Sequence, residues 1–463
     1  MNGRVLRIEL RRSAAPWAAL LTLLVGLAFL LLLTGPWVHG SVAWTRQWTS
    51  DAWWERHLMS FLWPLAVGAG ALHGLRDRRS GTLELLATTP RPARHRAGVS
   101  AGATALGLVL AYLALFAVGA VQVVAGGGWT HAGWVPILAV GALALPAGAV
   151  LGIGVGRALP SPLTPPALVV ATLVGCVLAA TSAEPASNGS GVLPHRVALL
   201  FPSLPQLRSV FETVAGRASA GQAVWLTGLA VTGLWLAAAT ARRARLLALA
   251  PAALAAAVAL PLLPSDASRT YVEDASAVEP VCQGQVCVSR VQEKQLDTLA
   301  GPSREALRLL AAKLPDLPGR PDKVREYTKT WPPVTAAERK PDRLQLGYDD
   351  RSFDGVKGKE LTRSLLAGAG TPPCPDDPDG GEGAWTRDVA ARTATAAWFL
   401  GEVKPLPGSL RIDAKALPAA RDTLRELRAL PETEQRERIT AFRSASRSCE
   451  GDLLNTLRGG GER

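Results

Sequence analysis

Hydrophobic positions cluster into seven long runs within the first 263 residues, at 16–34, 58–75, 99–124, 135–155, 167–181, 224–240 and 246–263. The runs are apolar all round rather than along one stripe, which is the pattern of helices surrounded by lipid or by other apolar helices. Most approach the ~20 residues needed to cross a hydrocarbon core. The nine Leu of 16–34 alone favour insertion by roughly 3 to 5 kcal/mol. Residues 35–57 carry Trp37, Trp44, Trp48, Trp53 and Trp54 and read as an outside loop at headgroup depth. Before the first run, residues 1–13 interleave Arg4, Arg7, Arg11 and Arg12 with Val5, Leu6, Ile8 and Leu10. This predicts an interfacial helix whose arginines snorkel to the cytoplasmic headgroups. A signal peptide is the competing reading, but the following apolar run is too long for one.

Two further stretches depart from simple spans. Residues 182–221 read as an outside segment, with apolar residues around Pro202 and Pro205 that predict a broken or re-entrant helix over 197–214. Such backbone survives at membrane depth only where protein buries it or a cavity wets it. The seventh run, 246–263, is interrupted by Pro251 and Pro261 and is the weakest span. Gly148, Gly152 and Gly156 recur every four residues on the fourth run, and Gly98 and Gly102 do so at the start of the third. These read as helix-packing seams.

Beyond residue 263 the long apolar runs stop. The periodicity predicts helices over 303–314, 382–400, 415–430 and 431–457, and strands over 281–290, 323–329 and 343–348. The fold class is therefore an α-helical membrane bundle of six core spans plus a seventh, followed by a mostly helical α+β soluble domain. The corresponding divisions are 1–13, 14–241, 242–263 and 264–463. Four of the five cysteines fall in the last division. Residues 281–288 read as a hairpin clamped by Cys282–Cys287, leaving Cys374 and Cys449 to pair across a loop worth roughly 4 kcal/mol in the chain-entropy model. An even cysteine count fits an oxidising compartment. Cys176, inside an apolar run, reads as a small hydrophobe.

The formal charge of +12 sharpens the topology. Residues 1–263 hold 19 Arg and 7 acidic residues, 19 − 7 = +12, and residues 264–463 hold 31 of each sign, 31 − 31 = 0. The basic excess thus belongs to the membrane half and argues against nucleic-acid binding. With the N-terminus inside, the inside segments hold 14 Arg and 3 acidic residues against 5 Arg and 4 acidic residues outside. That asymmetry follows the positive-inside rule. It places the chain in the cytoplasmic membrane, with residues 264–463 extracytoplasmic.

Catalytic and metal chemistry finds little support. All six His lie at or before His195, so the soluble domain can host neither a His-based triad nor a cysteine–histidine zinc site. Asp376, Asp377 and Asp379 lack the rest of a calcium-loop pattern. In the stretch Gly355-Val-Lys-Gly-Lys359, Glu360 stands where a phosphate loop needs Ser or Thr. The Gly152-x-Gly154-x-Gly156 spacing is wrong for a dinucleotide loop, and no strand precedes it. No metal, cofactor or catalytic residue is assigned to this chain, and no enzyme activity is expected of it.

One polar segment between two apolar runs carries a distinctive pattern. Ser80 can cap a helix start, Glu84 sits near the positive helix end, and Pro90 and Pro92 stop the helix. Leu83, Leu86 and Ala87 share a face. The stretch Gly81-Thr-Leu-Glu-Leu-Leu-Ala-Thr-Thr-Pro90, preceded by a charged run and followed by Arg91 and Arg94, resembles the coupling-helix segment of ABC type-2 permeases, the membrane halves of ABC exporters. The resemblance implies that Gly81, Thr82, Leu83, Glu84, Leu86 and Arg91 contact a separate ATPase. It also implies an elbow helix at the N-terminus and an outer-gate hairpin before the sixth span. ATP and Mg would be bound by that partner, a homodimer of nucleotide-binding domains, and the permease would pair with a second copy or a paralogue. No span carries a charged residue at its middle, so the expected cargo is apolar, amphipathic or peptide-like. The alternative is a membrane-anchored extracytoplasmic binding, sensing or assembly protein without transport. A similarity of the cysteine-bearing tail to extracytoplasmic tails of actinobacterial permeases implies no chemistry.

The topology is directly testable. A reporter active only outside the membrane should be active when fused after Ser265 and silent after Arg245, because Arg242, Arg243 and Arg245 hold that end at the anionic leaflet. The reverse pattern would place the tail inside and remove the case for disulfides.

Overall fold

Among the described residues, seven helices are long and apolar enough to cross a membrane: Pro16–Leu33, Trp48–Arg76, Ala97–Ala125, Val135–Ala158, Thr164–Ala183, Gly216–Ala238 and Arg242–Leu262. The structure is a computed structural model and describes residues 15–33, 47–79, 93–183, 191–205, 210–328, 340, 342–346, 356–369, 371, 381–407 and 413–460. Its contacts divide it into two units, Met1–Asp274 and Ala275–Arg463. The chain is a multi-pass membrane protein with a mostly helical C-terminal domain, the fold class read from the sequence. The amphipathic segment 1–13 lies outside the described residues.

In the first unit, α1 (Ala15–Ala28) continues into a π-helical turn over Phe29–Leu33. It is followed by α2 (Trp48–Arg79), α3 (Ala93–Ala125), α4 (Val135–Ala158), α5 (Thr164–Ala183), α6 (Gly216–Ala238) and α7 (Ala250–Leu262). The buried centre is α2 against α4, with α6 behind α4 and α3 beside α2. Outer helices keep bare apolar faces, as at Val170, Val174 and Val177 on α5 and Leu254, Val258 and Leu262 on α7. Residues at this spacing share one helix side, and an apolar side of that extent suits lipid.

The α2–α4 contact is backbone-close. A Cβ built on Gly148 would meet the Trp63 ring, one on Gly152 the carbonyl of Val67, and one on Gly156 the carbonyl of Ala71. Gly70 and Gly74 of α2 return the contact against the carbonyls of Ala149 and Ile153. Trp63 Nε1 also donates to the Ala144 carbonyl at 3.0 Å. Gly98 and Gly102, by contrast, have open space where a Cβ would stand.

Three sequence expectations for this unit are corrected. The outside loop 35–57 is helical from Trp48 onward, because 48–62 keeps three- and four-residue apolar spacing across its charges. Trp53 is consequently buried in the bundle instead of belting the interface. The described residues of 197–214 do not form a broken helix. Among them only His195–Ala198 forms a helical turn, the chain is non-helical through Pro202 and Pro205, and β1 (Glu212–Val214) pairs antiparallel with β2 (Tyr271–Glu273). β2 thereby lies with the first unit, Met1–Asp274. The seventh run is divided: a short helix Arg242–Leu247 precedes α7, and Pro251 sits in the first turn of α7, where its missing N–H removes no bond.

The second unit holds a four-stranded sheet in the order β3 (Pro280–Gln283), β4 (Val286–Ser289), β5 (Lys323–Glu326) and β6 (Arg343–Leu346). β3 and β4 are antiparallel, and the other two pairings are parallel. The β3–β4 turn places Gly284 at φ +64°, a conformation a Cβ disfavours. Cys282 and Cys287 are direct cross-strand partners and are disulfide-bonded. Cys449 is disulfide-bonded as well, Cys374 lies outside the described residues, and Cys176 is free and buried. α8 (Leu296–Lys313) crosses between β4 and β5, as a parallel pair requires. Then come α9 (Gly358–Ala367), α10 (Gly381–Leu400), α11 (Asp413–Arg428), α12 (Glu432–Ser448) and α13 (Leu453–Arg458).

Leu299, Leu310, Leu361, Leu366, Leu427 and Phe442 join the core of this unit. The sequence reading missed α9 and merged α12 with α13. The break comes at Cys449, left-handed at φ 58°, after which Asp452 restarts the helix by accepting from Leu454 N at 2.9 Å and Asn455 N at 3.2 Å. Arg443 is buried in this core, donates to the Ala369 carbonyl, and is pushed by burial, with help from Arg447, down to about 10.

A leucine at position 152 should separate α2 from α4, because the colliding atom is a backbone carbonyl that cannot swing aside. Overpacking of this kind costs about 1 to 3 kcal/mol or more. Gly152→Leu should lower the thermal midpoint and broaden the size-exclusion peak, while Gly102→Leu leaves both unchanged. Equal behaviour of the two variants would contradict the close approach.

Candidate functional site

The first three turns of α2 bring three charged residues into the interior of the membrane unit. Asp51 is 1% exposed, and Glu55 and Arg56 are fully buried. Charged side chains in a membrane bundle are costly, and those retained mark functional positions by default. The sequence reading set them in an outside loop; they lie instead in the first turns of α2, while the middle of that helix carries no charge.

Arg56 is held on all sides. Its Nε donates to the Pro202 carbonyl at 2.8 Å, one terminal nitrogen to the Ile137 carbonyl at 3.2 Å, and the other to Gln222 Oε1 at 2.9 Å. Gln222 on α6 donates in turn to the carbonyls of Leu199 at 3.0 Å and Phe201 at 3.3 Å. Trp53 Nε1 donates to the Pro205 carbonyl at 2.8 Å, His57 Nδ1 lies 3.0 Å from the Leu204 carbonyl, and Leu204 N donates to the Arg56 carbonyl at 3.3 Å. The prolines at 202 and 205 leave this strip without helical hydrogen bonds, and side chains of α2 and α6 satisfy its carbonyls instead.

The carboxylates are placed differently. Asp51 and Glu55 are four residues apart and share one side of α2. Asp51 rests on the α3 backbone: a Cβ at Gly119 would collide with its Oδ1. The fully buried Tyr112 of α3 neighbours Glu55 and Arg56, and its hydroxyl fills the space that a side chain at Gly141 of α4 would need. Arg56 Cδ borders the same glycine, 3.0 Å from where its Cβ would stand. Among the described residues, no hydrogen-bond partner reaches the Asp51 carboxylate, and the Tyr112 hydroxyl is the polar group facing Glu55. Trp48, Phe116 and Trp134 close the adjoining end as a stack, with centroids 5.1 to 6.1 Å apart. At the first turn Thr49 Oγ1 meets His131 Nε2 at 2.9 Å, and that nitrogen lies 4.0 Å from Asp274 Oδ2.

None of this cluster was singled out from sequence. The usable signal was that Trp48, Ala52, Glu55, Met59 and Leu62 keep helical spacing without a Gly or Pro between them. The residues that were singled out fare otherwise. Gly148, Gly152 and Gly156 line the α2–α4 contact, away from the carboxylates. Gly81, Thr82, Leu83, Glu84, Leu86 and Arg91 lie outside the described residues, in the segment joining α2 to α3. Among the described residues no group of three or more His, Cys, Asp or Glu side chains could hold a metal ion. No protein-family model, no curated protein and no solved structure matches the chain.

Proposed function

We propose that this chain is the membrane permease half of an ABC exporter, driven by a separate ATPase through the segment near 81–88. The observation that carries the reading is the resemblance of Gly81-Thr-Leu-Glu84 and its flanks to a coupling helix. Its position supports it, since it joins two long apolar helices, α2 and α3, within a bundle of six helices plus a seventh. ATP binding and hydrolysis in the partner would move that segment and open a path between two permease copies or paralogues. The N-terminus is inside and the unit Ala275–Arg463 outside, where its disulfides persist. The cargo is amphipathic or peptide-like: most of the interior is apolar, while the start of α2 offers buried charge.

The test is coupling. Glu84→Arg, or Leu83 and Leu86 both changed to Asp, should abolish substrate-stimulated ATP hydrolysis by the co-expressed ATPase, with membrane insertion unchanged. Export and co-purification with the ATPase at normal levels in these variants would sink the reading and favour an anchored binding protein.

A further inference from the structure

Asp51 and Glu55 are two carboxyl groups inside a membrane bundle; no donor among the described residues reaches Asp51, and the Tyr112 hydroxyl is the donor facing Glu55. Neither makes an ion pair among the described residues. Arg56, the adjacent cation, commits its guanidinium to Pro202, Ile137 and Gln222. Tyr112 Oη on α3 is a third buried polar group, and it faces Glu55. The other elements packed here add few charges. α4 presents Gly141, α6 presents Gln222, and Tyr271 of β2 interacts with Arg56. His131 and Asp274 gather around Thr49 at the end of the helix.

Magnitudes decide the state of this pair. An unpaired ion buried in a protein costs several kcal/mol even after relaxation. A helix N-terminus, near which Asp51 sits, returns only about 0.3 to 1 kcal/mol to a carboxylate. A second like charge one turn away adds to the cost. Something positive must therefore neutralise the pair, and space limits what it can be. The Asp51 carboxyl is pressed against the Gly119 backbone, and Tyr112 Oη against Gly141. Calcium takes about 6 to 8 oxygen ligands, whereas two carboxyls and one phenol are present here and the nearby carbonyls of Pro202 and Ile137 already serve Arg56.

We propose that Asp51 and Glu55 form an exchangeable proton site within the bundle, with Tyr112 Oη as their polar neighbour. The carboxyls hold protons while α2 and α3 are closed on each other and release them when that contact opens to water. Any rearrangement that wets this end of α2 is then linked to proton release, and by reciprocity to pH. The inference does not rest on the exporter reading, since burial and the lack of a paired cation carry it.

A membrane-soluble carbodiimide tests it, because such reagents attack protonated carboxyls in apolar surroundings. The full chain in liposomes is treated with dicyclohexylcarbodiimide, and the peptide bearing 51–55 is read by mass spectrometry. The wild type should be labelled at Asp51 or Glu55 near neutral pH, with labelling falling roughly tenfold per pH unit above the ionisation point. Asp51→Asn and Glu55→Gln should each leave label on the remaining carboxyl, and the double variant should lose it. Infrared spectra of the wild type should show a protonated-carboxyl band that shifts on deuteration, a readout that survives if the variants fail to fold. Absence of both label and band at every pH would overturn the proposal. So would label suppressed by sodium at constant pH, which would mean a metal-cation site, or equal labelling by a water-soluble carbodiimide, which would mean a wet surface.

Discussion

The membrane unit depends on one constraint, the satisfaction of irregular backbone in an apolar interior. Over residues 202–205 the chain passes through Pro202 and Pro205 without helical hydrogen bonds. Each unsatisfied carbonyl at membrane depth would cost several kcal/mol. The carbonyls of Leu199, Phe201, Pro202, Leu204 and Pro205 are met by Gln222, Arg56, His57 and Trp53. Arg56 reaches three parts of the chain at once, because a guanidinium offers five donors in a rigid fork. A lysine could not span the same partners.

That arrangement needs α2 and α4 to approach closely, and glycine makes this possible. Gly148, Gly152 and Gly156 on one helix and Gly70 and Gly74 on the other bring carbonyl-bearing backbone together. Without a hydrophobic drive between helices in lipid, dispersion at such contacts supplies much of the association. Close approach also fixes how far Arg56 stands from Ile137, and how little room remains around Tyr112. The polar cluster and the glycine seam are thus two consequences of one packing choice.

The C-terminal unit solves a different problem. Its helices α8 and α9 pack on a small sheet whose edge hairpin is closed by Cys282–Cys287, α10 to α13 pack on one another and on these two, and the mostly aliphatic core includes Trp398, Phe399 and Phe442. The charge balance of this half, equal in both signs, suits a water-facing domain. Buried arginines such as Arg392 and Arg443 are anchored on carbonyls of Thr371 and Ala369, so loop backbone is again held by guanidinium groups.

Much of this was legible in the chain itself. Seven apolar runs announce seven helices because a lipid-facing helix must be apolar over its whole length. The loss of such runs after residue 263 announces a separate, mostly helical C-terminal unit, and the spacing of Cys282 and Cys287 announces the clamped hairpin. The start of α2 was not legible. Asp51, Glu55 and Arg56 lower the local hydropathy, so they mimic a loop, and only the carbonyls of 199–205, some 150 residues away in sequence, explain why Arg56 can be buried. The non-helical course of 201–205 was likewise decided from outside, by side chains of α2 and α6 that replace its missing hydrogen bonds. Local sequence fixes what can enter the membrane, through transfer free energy that sums residue by residue. Which polar groups meet there depends on partners distant in the chain, and the tertiary structure alone chooses them.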